Sequence, residues 1–324
     1  MWHVHGSWMT AFVQGRHRYL LPTLPQRGPW GGGRPVAWDW PRSAVEVTPD
    51  ELADCDVDVV VLQRPEEWEL AQRWLGRRPG RDVPVVYVEH NAPRGHAANS
   101  RHPVADRDDV LLVHVTHFNR LMWDSGRTRA TVIEHGVVDP GHRYTGELAA
   151  AAVVVNEPVR RGRITGTDLL AEFARAVPLD VFGIGTEELV LGPDVRAMGD
   201  LPQARMHAAM ARRRAYLHLP RWTSLGLSLI EAMHLGMPVV ALATTEAHEA
   251  VPPGTGHCST DIGRLTRGLR ELMAEPQLAR QFGDAARAHA LRRYGLGRFL
   301  VDWDATLAAA TDGVRRPAVT TGRS

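Results

Sequence analysis

The chain contains no lysine: all 38 of its basic residues are arginine. This absence excludes a Walker-type phosphate loop, a kinase-type catalytic lysine, and Schiff-base chemistry with a substrate carbonyl or with pyridoxal phosphate. Cysteine is scarce as well. Cys55 and Cys258 are the only two, and they match no metal-binding or redox spacing. We therefore expect two free thiols in a reducing compartment.

Long hydrophobic runs are also missing. The longest uninterrupted apolar run covers residues 148–155, whereas a membrane span needs about 20 residues. No basic segment followed by an apolar run opens the chain, so we expect a cytoplasmic protein that is at most peripheral to a membrane. The 37 acidic residues nearly balance the arginines, and the net charge of +1 predicts no nucleic-acid partner.

A length of 324 residues predicts two domains. Short apolar runs alternate with segments of helical periodicity, which predicts an α/β protein with parallel sheets. The predicted strands are residues 2–5, 57–62, 83–88, 110–115, 131–134, 153–155, 179–182, 215–219 and 238–242. The predicted helices include residues 8–19, 66–75, 118–125, 167–177 and 203–212, with only helices from 261 to 310. The first predicted strand is only four residues long and lies at the very start of the chain, so we expect a gene start a few codons upstream.

The most informative segment is residues 216–240, YLHLPRWTSLGLSLIEAMHLGMPVV. It predicts a strand that ends at Pro220, a helix that starts near Gly226 and ends at Gly236, and a following strand. The N-terminus of such a helix, at the carboxyl edge of a parallel sheet, binds phosphate through free N–H groups. Gly226 has no side chain, so a diphosphate can approach the backbone closely.

Glu231 allows two interpretations. Its carboxylate is placed to accept hydrogen bonds from a ribose diol. Ser228 and Glu231 also fit the spacing of a capping box, in which the glutamate only reaches back to a main-chain N–H. The spacing alone leaves both open.

The run SLGLSLIEAMHLGMPVVAL resembles the donor-site signature of the retaining glycosyltransferases of family 4, which have the GT-B fold. Further blocks resemble this family in the same order: VYVEHN at 86–91, VIEHGV at 132–137, TGTDLL at 165–170, DVFGIG at 180–185 and VRAMG at 195–199. The resemblance is specific over residues 150–305 and looser before them. The arginine-only, Ala-, Gly- and Pro-rich composition is typical of a GC-rich bacterial genome, so the resemblance is to an actinobacterial type.

The resemblance implies two doubly wound parallel-sheet domains that face each other across a cleft. The expected acceptor-side domain is residues 1–147 together with a C-terminal helix at about 297–311. The expected donor domain is residues 148–296, and residues 312–324 are expected to form a flexible tail. The break at Pro140 and Gly141 supports a boundary in this region.

The donor-side residues that the resemblance implies fall into two sets. Those for the nucleotide-sugar are Glu231, Gly226, Leu227, Thr223, Ser224, Gly183, Gly185, Met198 and Thr165. Those for the charge on the diphosphate are Arg160, Arg161 and Arg163, with a solvated basic loop as the alternative. The sequence departs from the family pattern twice, because Thr223 stands where the family has a first glutamate and Thr165 where it has a lysine. The first departure leaves the donor sugar open, and the second leaves open which arginine replaces the lysine.

In the first domain, His90 ends a predicted strand that faces the expected cleft, and the resemblance implies that it contacts the transferred sugar. His5, Gly6 and Ser7 form a strand–Gly–helix turn that could lie beside the acceptor, with Asn91 next to His90. Asp54, Asp56 and Asp58 precede a strand rather than end one, so we expect no metal and no cofactor.

The resemblance therefore implies transfer of a hexosyl group from a nucleotide diphosphate-sugar, of UDP or GDP type, to an acceptor hydroxyl with retention, and we expect the reaction to need no metal. Two alternatives remain: a non-catalytic nucleotide-sugar-binding protein and a nucleotide-sugar epimerase of the same fold. A dinucleotide-dependent oxidoreductase is disfavoured because no G-x-G-x-x-G motif follows an early strand. The sequence does not indicate the oligomeric state.

Overall fold

A computed structural model describes residues 1–35 and 38–314, without the side chains of residues 313 and 314. The chain forms two units: Met1–Gly136 with the helix that starts at Leu296, and Val137–Gly295. From the sequence we expected the division after residue 147. It lies earlier because the intervening segment bonds to the second unit: the N–H of Val137 donates to the carbonyl of Tyr294 (3.0 Å), and that of Tyr144 to the carbonyl of Leu235 (3.0 Å).

The first unit contains two parallel sheets and five helices of four or more residues within its described part. Its strands are β1 (Tyr19–Pro22), β2 (Ala44–Val47), β3 (Val60–Leu62), β4 (Val85–Glu89), β5 (Leu111–His114) and β6 (Arg129–Val132). Its helices are α1 (Gly6–Phe12), α2 (Pro49–Ala53), α3 (Glu67–Leu75), α4 (His117–Met122) and, at the end of the chain, α12 (Leu296–Val314). The sheet orders are β1-β2 and β3-β4-β5-β6. All residues of β3 and β4 are buried, as in strands covered on both faces.

The second unit is built on one six-stranded parallel sheet. Its strands are β7 (Leu148–Val154), β8 (Leu179–Phe182), β9 (Val195–Gly199), β10 (Arg213–His218), β11 (Val239–Leu242) and β12 (Gly256–Ser259). Its helices are α5 (Pro158–Arg161), α6 (Leu170–Ala174), α7 (Gln203–Met210), α8 (Leu227–Leu235), α9 (Ala247–Ala250), α10 (Ile262–Ala274) and α11 (Pro276–Arg293).

The strand order of this sheet is β12-β11-β10-β7-β8-β9, so the chain runs outward from β7 in one direction and then returns to build the other half. Its two faces bury separate cores. Ala152 and Tyr216 point into one core with α8, and Ala151 and Leu217 into the other with α10. A doubly wound parallel sheet has this arrangement.

The structure differs from the sequence expectations in four strands that were not predicted: β1, β2, β9 and β12. β9 and β12 are the two edges of the six-stranded sheet, and their residues are half-buried or exposed. Edge strands need no continuous apolar run, so the pattern used for buried strands does not detect them.

The start of the chain also differs from expectation. Residues 2–5 form no strand. The segment instead makes isolated hydrogen bonds: the N-terminal amine donates to the carbonyl of Leu20 (3.1 Å), and the carbonyl of Trp2 accepts from a side-chain amide. The helix expected over residues 8–19 ends at Phe12, and β1 starts at Tyr19. At the other end, α12 continues through Val314, and the rest of the expected flexible tail lies outside the described residues. Within the described part, no helix is long and apolar enough to cross a bilayer.

Candidate functional site

The N-terminus of α8 lies at the carboxyl edge of the six-stranded sheet. β10 ends at His218, a loop follows, and α8 begins after Gly226 without a side-chain cap. Gly226 has an ordinary φ of −70°, so it is not required by backbone strain. A Cβ atom at Gly226 would lie 2.6 Å from the His218 ring, so a side chain there would have to displace this buried histidine. The first turn of α8 thus presents its backbone at the edge where parallel α/β sheets bind ligands.

The capping-box interpretation of Glu231 is wrong. Ser228 is the second residue of α8 and not its cap, and its hydroxyl accepts a hydrogen bond from the Tyr216 hydroxyl (2.9 Å). The Glu231 carboxylate is only 4% exposed and is contacted from α7. Its Oε1 accepts from Nε2 of Gln203 (2.9 Å), and its Oε2 lies 3.4 Å from Nε2 of His207. Glu231 is therefore a buried carboxylate held between α7 and α8.

Burial also keeps the side chains beneath the α8 N-terminus uncharged at neutral pH. It lowers the pKa of His218 to about 4 and raises that of Tyr216 above its ordinary value. The Tyr216 hydroxyl also lies 3.4 Å from Nδ1 of His218. His218 and Tyr216 are therefore both neutral at pH 7.

The arginine-rich loop follows β7 at the same edge of the sheet. Arg160 forms an ion pair with Glu157, and a nitrogen of Arg163 lies 2.9 Å from Asp168. The two guanidinium groups are 69% and 76% exposed. Exposed ion pairs contribute about 0–1 kcal/mol, so a phosphate can replace either carboxylate at little cost. Arg161, between them, is half-buried.

Arg221 is a further residue of this region that the sequence did not single out. Its guanidinium contacts both oxygens of Asp168 (2.5 and 3.0 Å) and donates to the carbonyl of Arg163 (3.0 Å). Its main-chain N–H donates to the carbonyl of Ile164 (2.8 Å). Hydrogen bonding from Arg221 lowers the pKa of Asp168. Arg221 thus joins the arginine loop to the loop before α8; its position directly after Pro220 in the motif was the available signal.

The threonines at the two departure positions have different surroundings. Thr165, at the family's lysine position, is buried, and its hydroxyl donates to the carbonyl of Gly162 (3.1 Å). It therefore stabilises the loop rather than replacing a charge. Thr223 is half-buried in the loop before α8, next to buried Ser224, and Leu227 is half-buried at the start of the helix.

Gly183, Gly185 and Met198 lie at the ends of β8 and β9. Gly183 has a φ of +124°, and a Cβ atom there would lie 2.2 Å from the carbonyl oxygen of Val155. The Thr186 hydroxyl closes the turn, donating to the carbonyl of Gly183 (3.0 Å) and accepting from the N–H of Gly199 (3.2 Å). Since neighbouring parallel strands end at the same edge, this turn shares the edge with the arginine loop and the α8 N-terminus.

In the first unit, His5, His90 and His135 lie close together at the carboxyl edge of the four-stranded sheet. The rings of His5 and His90 are 4.1 Å apart between centroids. Burial, followed by the positive groups nearby, lowers the pKa of His5 to about 4 and that of His135 to about 3. All three are therefore neutral at pH 7. His135 was not singled out from the sequence, although it lies in the quoted block at 132–137.

The remaining acceptor-side candidates are Gly6 and Ser7 in α1 and Asn91 after β4. A Cβ atom at Gly6 would lie 2.9 Å from the Trp38 ring, and Ser7 is half-buried in α1. Asn91 is exposed, and its main chain is held by Glu89 and Trp123 at 2.7 and 2.9 Å. Among residues 1–35 and 38–314, no three His, Cys, Asp or Glu side chains form a group that could hold a metal ion.

Comparisons with known proteins agree with this description. Residues 186–289 match the family model described as glycosyl transferases group 1, a segment that contains Met198, Gln203, Thr223, Gly226 and Glu231. No curated protein matches the sequence significantly.

Three solved structures show the fold. HepE of Anabaena in complex with UDP superposes with a TM-score of 0.67 at 15% identity, covering 93% of this chain and 95% of that one. Sucrose-phosphate synthase of Thermosynechococcus elongatus gives 0.62 at 14% identity, covering 79% and 74%. TarM of S. aureus gives 0.59 at 16% identity, covering 77% and 54%, so this chain spans about half the length of TarM. The prediction of an α/β fold of the GT-B class with parallel sheets is confirmed.

Proposed function

We propose that this chain is a retaining glycosyltransferase of family 4 that transfers a hexosyl group from a nucleotide diphosphate-sugar to an acceptor hydroxyl without a metal ion. The group 1 match and the fold support a glycosyltransferase. The observation that carries the proposal is the pairing of the uncapped α8 N-terminus with the buried Glu231 carboxylate, inside the matched segment.

The second unit supplies groups for each part of the donor. The N–H groups and positive dipole end of α8 suit the diphosphate, with the exposed Arg160 and Arg163 adding charge. The carboxylate of Glu231 suits the ribose diol, and the turn after β8 suits the base. HepE has been solved with UDP and with UDP-glucose, which supports a UDP-type donor here.

The chemistry needs no general base from the protein. The bond from the anomeric carbon to the diphosphate oxygen breaks, and the acceptor oxygen forms its bond to the same face of that carbon. The acceptor proton passes to the departing phosphate oxygen. Charge on the leaving group grows during this step, and we expect the arginines and the α8 N-terminus to stabilise it.

The first unit provides the proposed acceptor side. His90 and His5, both neutral at pH 7, offer ring nitrogens to hydroxyl groups and add no charge. The thiols of Cys55 and Cys258 are free, as is usual for cysteines in a reducing compartment. We therefore propose that the protein acts in the cytoplasm.

The decisive experiment is a thermal-shift panel of UDP, GDP, ADP and their glucose conjugates, with mannose conjugates as a second set. A ligand that binds only the folded state adds RT ln(1 + [L]/Kd), about 2.7 kcal/mol at a hundredfold excess over Kd. We expect one nucleoside diphosphate to raise the melting temperature clearly above the others. If none does at millimolar concentration, the donor site is wrongly assigned.

Activity then separates the alternatives. Incubation of the selected nucleotide-sugar with a panel of alcohol acceptors should release the nucleoside diphosphate only when an acceptor is present. Appearance of an epimerised nucleotide-sugar without acceptor would identify an epimerase. Binding without release for any acceptor or for water would identify a non-catalytic binding protein.

A further inference from the structure

Gln63 lies at the end of β3, is 6% exposed, and links three segments of the first unit. Its amide Nε2 lies 2.8 Å from the carbonyl oxygen of Trp2, and its Oε1 lies 3.0 Å from Nε2 of His90. Its main-chain N–H donates to Glu67 (2.7 Å), a fully buried carboxylate that also binds Arg64. Both polar atoms of the Gln63 amide thus have hydrogen-bond partners within the protein.

These contacts determine which way the Gln63 amide points. The carbonyl oxygen of Trp2 can only accept a hydrogen bond, so the NH₂ group must face Trp2. The amide oxygen then faces His90 and can only accept. Nε2 of His90 must therefore carry a hydrogen, and in the neutral imidazole Nδ1 is the bare nitrogen.

The surroundings of His90 keep the ring in this neutral form. His90 is 8% exposed and lies between the ring of His5, at 4.1 Å, and that of Trp8, which meets it edge-on at 4.8 Å. Burial first, and then the nearby His5 and His135, hold the pKa of His90 well below its ordinary value. Among the described residues, none hydrogen-bonds Nδ1 of His90, so its lone pair is unused.

We propose that Gln63 is a positioning residue that holds the proton of His90 on Nε2, so that Nδ1 accepts the hydrogen of a substrate hydroxyl. The subsite then selects a neutral alcohol, because a bare nitrogen lone pair attracts an O–H donor and repels a carboxylate or phosphate oxygen. The identity of the hydroxyl as that of a glycosyl-transfer substrate rests on the proposed function. The tautomer of His90 does not depend on the proposed function, so the tests can refute either one without the other.

The direct test is nitrogen NMR of protein labelled with ¹⁵N-histidine, in which long-range couplings to the ring protons show which imidazole nitrogen is protonated. The His90→Gln variant assigns the His90 signals by their loss. We expect His90 to be protonated on Nε2 alone at pH 7, and Gln63→Leu to produce a mixture of tautomers. A wild-type His90 protonated on Nδ1, or charged at pH 7, overturns the proposal whatever the protein catalyses.

The functional test uses Gln63→Glu, with Gln72→Glu as the matched control because Gln72 is exposed on α3 and undergoes the same charge change. A carboxylate at residue 63 favours the charged imidazolium, which leaves no acceptor at Nδ1. The acid limb of the pH–rate profile should therefore move toward neutral pH by about one unit or more in Gln63→Glu and stay in place in Gln72→Glu. An unmoved limb in folded Gln63→Glu contradicts the proposal.

A second variant covers the case in which Gln63→Glu does not fold. Gln63→Leu should lower kcat by about tenfold or more, since His90 is no longer held in the productive tautomer and orientation, while UDP affinity stays within about twofold. Equal losses in kcat and in UDP affinity would indicate general damage instead and would refute a positioning role.

Discussion

Replacing Glu231 by Gln tests the residue on which the proposed donor site most depends. The substitution keeps the size of the side chain and removes its charge. In the structure Oε1 accepts from Gln203 at 2.9 Å, Oε2 lies 3.4 Å from His207, and the carboxylate is 4% exposed. A carboxylate has about four acceptor positions, and the hydrogen bond from Gln203 takes one, so at least two remain for a ribose diol. The structure thus allows one carboxylate both to tie α7 to α8 and to bind the nucleotide.

The expected losses follow from this count. A hydrogen bond to a charged group contributes about 1.5–3 kcal/mol, and the amide that replaces the carboxylate in Glu231→Gln keeps only one acceptor oxygen. The free energy of unfolding should fall by about 1–3 kcal/mol, because one α7 contact weakens. UDP affinity should fall by about ten- to a hundredfold, equivalent to about 1.4–2.7 kcal/mol, because the new NH₂ group faces a hydroxyl that needs an acceptor.

Two matched controls separate binding from stability. Gln203→Leu removes the tie and keeps the carboxylate, so it should lower stability by a similar amount and leave UDP affinity within about threefold. Thr223→Ala should change the preference among UDP-sugars and spare affinity for UDP itself. Calorimetric titration with UDP gives the affinities, and urea unfolding gives the stabilities.

The outcome that refutes this reasoning is clear. If Glu231→Gln loses stability yet binds UDP within twofold of wild type, then Glu231 is only a structural link between α7 and α8. The donor site would then lose its strongest residue, and the proposed function would depend on the arginine loop and the α8 N-terminus alone.

Three further predictions concern charge. Replacing the three loop arginines together by Gln should slow transfer by about a hundredfold or more. The melting temperature should change little, because the ion pairs of Arg160 and Arg163 are exposed. Turnover within threefold of wild type would make them a solvated loop. The three are Arg160, Arg161 and Arg163. Transfer should persist in EDTA, and a complete loss that Mg²⁺ or Mn²⁺ restores would contradict the metal-free proposal. The free energy of unfolding should fall as the pH drops from about 6.5 toward 4. Burial lowers the pKa of His218 to about 4 and of His135 to about 3, so in this window the unfolded chain binds more protons than the folded one. Each histidine contributes at most about 1.4 kcal/mol per pH unit, and urea midpoints that stay constant from pH 7 to 5 would refute this.

The sequence by itself determined the fold class and the central motif. Buried strands such as β4 and β8 are short, almost entirely apolar runs, because neighbours cover both of their faces. The order of strand, loop, helix and strand around α8 also follows from local signals: a Pro after β10, Gly226 before the helix and Gly236 after it. The edge strands β9 and β12 were not predicted, because half-exposed strands contain no such apolar run.

Only the tertiary structure decided which side chains meet. Ser228 and Glu231 have the spacing of a capping box, but α8 begins one residue before Ser228. The side chains that contact the Glu231 carboxylate come instead from α7, on the other side of β10 in the chain. Gln63 and His90 likewise end different strands and meet because β3 and β4 are parallel neighbours. Local periodicity reports burial and element type, whereas partners across elements depend on strand order and helix packing, and no short window of sequence contains these.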